Sequence, residues 1–452
     1  MEISAFKHNL AGTISVPGSK SHTIRALLLA SMAEGKSVIR NPLPSADCLS
    51  TAKAVPLIGA EIDLNLSEEG EPGTRWFVSG AGKNIHLPSD VVDVGNSGSL
   101  LYFLAPIAAN FSGISIFTGD SSIKKRPVAH VIDALNQLGG RAELAIPGHN
   151  GCPIVIKGPI KSGVVCTAGE VSSQYISGLM MSAILMDGKL TLNLSNPKET
   201  PYLTMTAKWL EKVGVKCSIS EDFKKIQVEG PVQIKAFDEV IPADWEAVAF
   251  PLIAALISDS EITIQDVDGS GTQGDAAIVE VLKSVGADIE WDLQKATLKV
   301  RGGKKARNKT GVLSTKNCPD GILRVKMSSF PDAICALAVI ACFIEGTVIL
   351  EDAEVCRRKE TDRLKVLTSE LKKLGADIES TEDSLIIHGG SKLHGGTVES
   401  YDDHRMAMSL ACLGLGLPEG EKIIVNDAEC CAVSFPHFYE IMNEIGAEFV
   451  KF

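Results

Sequence analysis

Residues 366–380 read VLTSELKKLGADIES, and this stretch contains the pattern that decides the fold. Its first half has the apolar spacing of an amphipathic helix. Gly375 follows, where a glycine can end a helix in the left-handed backbone conformation. The next segment, IESTEDSLIIHGG (378–390), reads as a strand, a turn and a second strand. The stretch therefore predicts a helix, a glycine cap and a hairpin.

The same pattern recurs along the whole chain. Its six copies are LIGAEIDL (57–64), LGGRAEL (138–144), VGVKCSI (213–219), VGADIEW (285–291), LGADIES (374–380) and IGAEFV (445–450). Their glycines lie roughly 70 to 90 residues apart, which suits a small α/β unit and is too long for a solenoid repeat. A single helix–glycine–strand junction is common, but six copies predict a repeated α/β architecture. The last copy is expected to be truncated at Phe452.

The length of the chain predicts two domains. At 452 residues it is too long for one compact core, so the six units are expected to divide three and three. The natural boundary is the segment AFDEVIPAD (236–244), which follows the third unit. A ligand is expected in the cleft between two such domains.

Charge and cysteine usage exclude several classes of protein. The formal net charge of −12 argues against a nucleic-acid or anionic-membrane partner, because both favour surplus lysine and arginine. The eleven cysteines include no CxxC pair and no zinc-finger spacing, so no metal is expected. No signal peptide or membrane-length apolar run is evident. These features predict a soluble, reduced, cytoplasmic protein.

Several predicted helices begin with polar side chains and continue as apolar runs. Ser19, Lys20 and Ser21 open one of them, with Arg25 about one turn later. Such a start can bind an anion or can simply cap the helix, and both interpretations stay open. The spacing excludes the nucleotide-binding pattern GxxxxGK[ST]. Similar starts are GNSGS (95–99), SSQ (172–174), FPDA (330–333) and DDHR (402–405). If they converge, they form one polar site for a multiply charged anion.

The segment RRKETDRL (357–364) holds six ionisable side chains in seven positions. Alone, such a run is typical of a solvated helix face. Its context favours a ligand-facing role for Lys359, Glu360 and Arg363. Helical spacing would place Lys359 and Arg363 on one face, with Asp362 and Arg358 outside.

Together these motifs resemble the EPSP synthase family, the 3-phosphoshikimate 1-carboxyvinyltransferases. The matching phrases, in the order of the family, are PGSKSHTIRALLLA, GNSG, KKRPVAHVIDAL, SSQYISGLMMSA, KETPYLTMT, TQGD, FPDA, RRKETDRL and YDDHRMAMSLA. They span essentially the whole chain. The resemblance implies an α/β enolpyruvyl-transferase fold of six βαβαββ repeats, three per domain, with the active site in the interdomain cleft. The implied domains are residues 20–241, and residues 1–19 plus 242–452, with the N-terminal strand crossing over.

The resemblance also implies an activity. The family transfers the enolpyruvyl group from phosphoenolpyruvate to the 5-hydroxyl of shikimate 3-phosphate by addition–elimination, and releases phosphate, in aromatic amino acid biosynthesis. No cofactor is implied, and a monomer is expected. The positions matched to shikimate 3-phosphate are Lys20, Ser21, Arg25, Ser172, Ser173, Gln174, Tyr202, Asp332 and Lys359. Those matched to phosphoenolpyruvate and the reacting centre are Lys20, Gly98, Gln174, Asp332, Glu360, Arg363, His404 and Arg405.

By resemblance, Lys20, Asp332 and Glu360 are the catalytic proton handlers. General acid–base groups of this kind suit a reaction that moves protons to and from carbon and oxygen. Arg363 and Arg405 would clamp the anionic donor, where the bidentate geometry of guanidinium matters.

Five positions depart from the family pattern. Three family cations are replaced by Tyr102, Ser122 and Val433, while Glu199 replaces a phosphate-contacting serine and Val355 an asparagine of the acceptor site. Two alternatives therefore stay open: an enzyme of the same fold with another phosphorylated acceptor or another donor, and a non-catalytic protein that binds a phosphorylated ligand. The acid–base residues favour an enzyme, whereas the lost cations favour a different donor.

Overall fold

The structure, a computed structural model, describes residues 1–68 and 70–452. These residues form two compact units, unit A (Gly18–Pro242) and unit B (Met1–Pro17 with Ala243–Phe452). Each unit has its own hydrophobic core. Glu69, in the predicted turn of the first hairpin, lies outside the described residues.

Short strands alternate with helices throughout the described residues. The strands are β1 (Ile3–Phe6), β2 (Ala11–Ser15), β3 (Glu34–Arg40), β4 (Glu61–Asp63), β5 (Arg75–Ala81), β6 (Val92–Asp93), β7 (Gly113–Thr118), β8 (Arg141–Leu144), β9 (Ile154–Gly158), β10 (Val164–Ala168), β11 (Gly188–Ser195), β12 (Cys217–Ile219), β13 (Lys225–Gly230), β14 (Asp238–Val240), β15 (Glu261–Gln265), β16 (Asp288–Asp292), β17 (Thr297–Arg301), β18 (Leu313–Ser314), β19 (Ile322–Lys326), β20 (Ile344–Glu351), β21 (Asp377–Ser380), β22 (Leu385–Gly389), β23 (Gly396–Glu399), β24 (Lys422–Asn426) and β25 (Val450–Lys451). The α-helices are α1 (Lys20–Met32), α2 (Ala46–Ala54), α3 (Gly98–Ala108), α4 (Ala129–Gln137), α5 (Ser173–Ser182), α6 (Thr200–Lys212), α7 (Trp245–Leu256), α8 (Ile278–Ser284), α9 (Ile334–Ala341), α10 (Arg363–Lys373), α11 (His404–Leu415) and α12 (Phe438–Glu444).

One sheet pattern recurs in both units. In unit A the described strands form sheets of order β14-β3-β5-β4, β6-β7-β9-β8 and β10-β11-β13-β12. In unit B the orders are β16-β17-β15-β2, β18-β20-β22-β21 with β19 also on β20, and β23-β24-β1-β25. The sheet of β10 shows the pattern: β10 and β11 are parallel, whereas β11 with β13 and β13 with β12 are antiparallel. These βαβαββ repeats confirm the predicted α/β fold.

Strands distant in sequence complete the first repeat of each unit and the last repeat of unit B. In unit A, β14 pairs parallel with β3, and in unit B, β2 pairs parallel with β15. The last copy has a single strand, β25, after its helix and glycine, in agreement with the predicted truncation. The N-terminal strand β1 pairs antiparallel with both β24 and β25, so it supplies the missing strand of that hairpin.

Left-handed glycines follow the second helix of each repeat, as predicted. Their φ angles lie between 83° and 99° at Gly59, Gly139, Gly214, Gly286, Gly375 and Gly446. A side chain in this conformation costs about 1–2 kcal/mol. The glycines therefore let the chain leave each helix and enter the next strand.

The first helix of each repeat is buried and positions the candidate site. These helices are α1, α3 and α5 in unit A, and α7, α9 and α11 in unit B. Gly178 lets α5 lie directly on α3, since a Cβ there would be 2.0 Å from the Tyr102 carbonyl oxygen. None of the helices in the described residues combines the length and the hydrophobicity needed to cross a membrane.

Candidate functional site

The start of α1 holds two of the predicted site cations in unit A. Lys20 is its first residue, and its Nζ lies 3.4 Å from Oδ2 of Asp47. Arg25 is buried one turn later and donates to Thr206 Oγ1 at 2.8 Å and to the Ser21 carbonyl at 2.9 Å. Its guanidinium also lies over the ring of Phe103.

All the groups that accept hydrogen bonds from Arg25 are neutral. Besides Ser21 and Thr206, they are the Ser177 hydroxyl and the Tyr202 carbonyl, each at 3.3 Å. Burial lowers the pKa of Arg25 to about 9, which still leaves it charged at neutral pH. An anionic ligand bound here would stabilise that buried charge.

The starts of α3 and α5 are joined by a hydrogen bond. Gln174 Nε2 donates to Ser99 Oγ at 3.0 Å. The Arg126 guanidinium lies against Gly98, because a Cβ on Gly98 would be 2.5 Å from Arg126 Nη1. Arg126 and Ser99 are not among the positions that the resemblance matches to the ligands, although the motifs KKRP and GNSGS contain them. The structure therefore adds a cation and a hydroxyl to this part of the predicted site.

The start of α5 is occupied by a carboxylate of the chain itself. Ser172 is the N-cap and accepts from the Gln174 backbone N–H at 3.1 Å. Ser173 donates to Oε2 of Glu199 from its backbone N–H at 2.8 Å and from its hydroxyl at 2.9 Å. Glu199 is buried and precedes α6, and its carbonyl accepts from the Tyr202 N–H. Glu199 thus contacts both Ser173, at the start of α5, and Tyr202, in the first turn of α6.

The replaced positions Tyr102 and Ser122 bring no cation to unit A. Tyr102 is buried in α3 and donates its hydroxyl to the Pro127 carbonyl at 2.8 Å, which stabilises the turn that follows Arg126. Burial raises the pKa of Tyr102, so it is a neutral phenol at physiological pH. Ser122 donates its backbone N–H to Asp120 Oδ1 at 2.9 Å, and its carbonyl accepts from the Lys125 N–H.

Arg363 is the centre of a buried ion network in unit B. It is fully buried and contacts Asp403 through Nε at 2.9 Å and Nη2 at 3.2 Å. Its Nη1 donates to Asp332 Oδ1 at 2.6 Å, and its Nη2 to Glu360 Oε2 at 2.7 Å. Burial alone would lower the pKa of Arg363, but Asp403 and Glu360 hold it well above its ordinary value. This guanidinium is a fixed positive charge.

Asp332 is shared by three cations. Its Oδ1 also lies 3.3 Å from Arg405 Nε, and its Oδ2 lies 3.5 Å from Lys359 Nζ. Burial alone would raise the pKa of Asp332, but Lys359, Arg405 and Arg363 hold it well below its ordinary value. Capping of α9 is therefore not its main role, and in the free protein Asp332 is an anion.

Two carboxylates that sequence reasoning missed complete the network. Glu246, in the first turn of α7, accepts a hydrogen bond from Arg405 Nη2. Burial, together with the charges of Glu246 and Asp332, raises the pKa of the buried Asp275 well above its ordinary value. The available signals were DWE (244–246), a further polar start of an apolar helix, and the phrase TQGD.

The predicted geometry of RRKETDRL is partly wrong. Lys359 and Glu360 do not share a helical face with Arg363, because α10 begins only at Arg363. Asp362 caps that helix by accepting from the Lys365 N–H at 3.1 Å, and it also pairs with Arg357. Lys359 and Glu360 reach the network from the turn before the helix.

The structure brings the predicted residues together within each unit. In unit A the contacts join Arg25 with Ser21 and Tyr202, Gln174 with Ser172 and Ser99, and Ser173 with Glu199. In unit B they join Asp332, Lys359, Glu360, Arg363 and Arg405, and His404 is the buried first residue of α11. Val355 is buried beside this segment, and Val433 ends the 3-10 helix Ala428–Val433.

Six βαβαββ repeats with polar starts to their buried helices define an enolpyruvyl-transferase-type fold. The model of the EPSP synthase (3-phosphoshikimate 1-carboxyvinyltransferase) family matches residues 5–442. A 3-phosphoshikimate 1-carboxyvinyltransferase of Ruminiclostridium cellulolyticum is 38% identical over 99% of both chains, and one of Acetivibrio thermocellus is 36% identical over 99% of both. The chain belongs to the EPSP synthase family, which confirms the resemblance.

Solved structures agree with this fold. An EPSP synthase from Acinetobacter baumannii superposes with a TM-score of 0.79 at 25% sequence identity, over 99% of both chains. The enolpyruvyl transferase NikO from Streptomyces tendae has a TM-score of 0.77 over 99% of this chain and 98% of its own. At 16% identity, the second likeness concerns the fold alone.

Proposed function

We propose that this chain is a transferase that moves the enolpyruvyl group of phosphoenolpyruvate to the 5-hydroxyl of shikimate 3-phosphate. Its named relatives are 3-phosphoshikimate 1-carboxyvinyltransferases at 35–38% identity. The observation that carries the proposal is the buried network in unit B, where acid–base carboxylates and three cations converge on Asp332. A protein that only bound its ligand would have no need of those carboxylates.

The reaction is an addition followed by an elimination. A proton adds to the methylene carbon of phosphoenolpyruvate while the acceptor oxygen bonds to the neighbouring carbon and loses its own proton. The bond between that carbon and the phosphate oxygen then breaks, and a proton leaves the methyl group. The products are the enolpyruvyl ether and inorganic phosphate, so atoms and charge balance without a redox partner. The enzyme must therefore supply and remove protons and stabilise anions.

Unit B supplies the proton-handling groups in this proposal. Glu360 and Asp332 are the proposed acid and base. A carboxylate with a strongly lowered pKa is a poor base, and in the free protein the cations hold Asp332 in that state. An anionic donor that engages Arg405 and Arg363 competes with Asp332 for the same cations. Donor binding thus raises the pKa of Asp332 toward the range in which it can accept a proton.

Unit A supplies the acceptor-binding groups. Arg25 is a buried cation with neutral neighbours, and Lys20, Ser21, Ser172, Ser173, Gln174 and Tyr202 are the other proposed contacts. Arg126, which lies against Gly98, is the proposed substitute for the family cations lost at Tyr102 and Ser122. Lys20 is the proposed third proton-handling group.

The organisation of the protein is proposed on separate grounds. We propose that the two units are folding domains with boundaries near residues 19 and 242, since each has its own core. A cytoplasmic enzyme is supported by eleven free thiols, and we propose that it is a monomer. The net charge of −12 argues against nucleic acid or an anionic membrane as a partner, and small anionic substrates would have to bind at local cations.

A second candidate function is transfer to a different acceptor. The observation that favours it is Glu199, a carboxylate at the position where the resemblance expects a serine that contacts the acceptor phosphate. In that case the acid–base network of unit B would act on another hydroxyl.

The test combines turnover with binding. Purified protein is mixed with shikimate 3-phosphate and phosphoenolpyruvate, phosphate release is followed, and the enolpyruvyl product is identified by mass. Calorimetry measures the binding of each substrate alone. We expect stoichiometric phosphate and product. Binding of shikimate 3-phosphate without phosphate release would contradict the proposed reaction. If phosphate is released only when a different hydroxyl compound replaces shikimate 3-phosphate, the second candidate is supported.

A further inference from the structure

We propose that Glu199 is a specificity-determining residue that lowers the preference of the site for a phosphate group on the acceptor, because its carboxylate competes for the donors at the start of α5. This inference rests on the proposed function, since Ser173 is proposed there as an acceptor-binding residue. It concerns Glu199 alone, and the roles of the other site residues do not depend on it.

The contacts of Glu199 place its carboxylate at the start of α5 and not on its own helix. Glu199 is the N-cap residue of α6, where a carboxylate would ordinarily accept from the first backbone N–H groups of that helix. Instead its Oε2 accepts two hydrogen bonds from Ser173, from the backbone N–H at 2.8 Å and from the hydroxyl at 2.9 Å. The side chain of Glu199 therefore accepts hydrogen bonds at the start of α5 and not at the start of its own helix, α6.

The start of α5 is a favourable place for one anion. Its free N–H groups and its helix dipole both stabilise a negative charge, whether that charge belongs to a side chain or to a bound phosphate. Glu199 is only 3% exposed, so its carboxylate excludes water from this position. A phosphate oxygen cannot accept from the same Ser173 donors while the carboxylate is bound there. The two anions would also repel each other at contact distance.

The backbone at Glu199 is held in an unusual conformation. Its φ of 51° and ψ of 35° are left-handed, which costs a residue with a Cβ about 1–2 kcal/mol. Such an outlier persists only where the surrounding structure requires it, and outliers of this kind cluster at ligand sites. The conformation directs the Glu199 side chain toward α5, as the two hydrogen bonds to Ser173 show.

The test measures a binding preference in the absence of any donor. The dissociation constants of shikimate and of shikimate 3-phosphate are determined by calorimetry for the natural protein, Glu199→Ser and Glu199→Gln. We expect Glu199→Ser to raise the preference for shikimate 3-phosphate about 10- to 100-fold, the range expected for charge-assisted hydrogen bonds. Glu199→Gln should give a smaller rise, since its amide oxygen can still accept from Ser173 but carries no charge.

A matched control removes the same charge elsewhere. Glu211 lies on the exposed side of the same helix, α6. The variant Glu211→Gln should therefore leave the preference for shikimate 3-phosphate over shikimate unchanged. A preference in both Glu199 variants within two-fold of the natural protein would overturn the inference, whether or not the protein turns over. If Glu199→Ser does not fold, Glu199→Gln decides the question. Failure of the proposed function would appear separately, as absent phosphate release by the natural protein.

Discussion

The two units share one fold but begin their buried helices with different chemistry. In unit A the N-cap residues of α1, α3 and α5 are Ser19, Ser97 and Ser172. In unit B, Asp244 and Asp403 cap α7 and α11, and Asp332 lies just before α9. A serine leaves the positive end of a helix able to receive an external anion, whereas an aspartate neutralises it.

The same difference separates the arginines of the two units. Arg25 of unit A donates to neutral oxygens, while Arg363 of unit B is surrounded by Asp332, Glu360 and Asp403. Unit A is therefore suited to bind an anionic substrate, and unit B holds the carboxylates that we propose for proton transfer. Glu199 is the exception in unit A, because it places a carboxylate at the start of a buried helix, as the aspartates of unit B do.

The largest effect is expected when a proton-handling group of unit B is neutralised. Glu360→Gln keeps the size of the side chain and its contact with Arg363 but cannot exchange a proton. Loss of a general acid or base lowers kcat by about 10²- to 10⁴-fold. Steady-state kinetics check this. Glu354→Gln, on the exposed side of the same segment, is the matched control and should retain full activity. If Glu360→Gln has the same kcat as the control variant, Glu360 does not take part in proton transfer.

The next effect compares the two buried arginines by stability. Arg363→Met removes one buried guanidinium from three carboxylates, Asp332, Glu360 and Asp403, and should cost about 3–5 kcal/mol of unfolding free energy. Arg25→Met should cost only about 1 kcal/mol, because the Thr206 hydroxyl can still donate to the Tyr202 carbonyl and share a hydrogen bond with the Ser177 hydroxyl. Urea unfolding measures both values. Similar costs for the two variants would mean that the charge environments of the units do not differ in the way described.

A pH effect should distinguish Asp275 from the other carboxylates of unit B. Its raised pKa means that the folded state holds a proton that the unfolded state releases. Stability should therefore fall as the pH rises from about 4 toward that raised pKa, by at most about 1.4 kcal/mol per pH unit. Asp332 and Asp403 have lowered pKa values. Their titration therefore changes the stability of the protein only below about pH 4, where protonation removes the stabilisation that the two carboxylates provide.

The variant that checks this is Asp275→Asn. Its unfolding free energy should change less between pH 5 and pH 8 than that of the natural protein. Glu280→Gln, an exposed change in the following helix α8, should leave the slope of stability against pH as it is. A steeper slope in Asp275→Asn would contradict the assigned direction of the pKa shift.

The smallest effect concerns the helix caps. Ser172→Ala removes one cap hydrogen bond from α5 and should cost about 1 kcal/mol. Asp403→Ala removes a cap from α11 and also a partner of Arg363, so it should cost clearly more. Thermal unfolding compares the two variants. Equal costs would show that Asp403 acts only as a cap.

Much of the fold could be predicted from the sequence because each repeat carries its own local signal. The amphipathic helix and the left-handed glycine are local features, and Gly375 needs no tertiary contact to be recognised. The resemblance implied that the N-terminal strand crosses to the second domain. Its pairing with β24 and β25 could not be predicted, because pairing between the two ends of the chain leaves no local pattern.

The candidate site shows the same limit. Lys359, Glu360 and Arg363 could be grouped from one segment, but their geometry depends on the cap at Asp362, which starts α10 later than the spacing suggested. Glu246 and Asp275 were missed, because only the packing of α7 brings Glu246 to Arg405. The role of Glu199 could be inferred only from the position of its carboxylate at the start of α5. A substitution within a sequence motif does not reveal that position.

The most direct measurement of the central claim is the reaction carried out in D₂O. If unit B protonates the methylene carbon of phosphoenolpyruvate and later removes a proton, the vinyl group of the product must acquire deuterium. We predict deuterium in the product of the natural protein by mass spectrometry and proton NMR, and little product of any kind from Glu360→Gln. An enolpyruvyl product free of deuterium, or phosphate released without that product, would contradict the account.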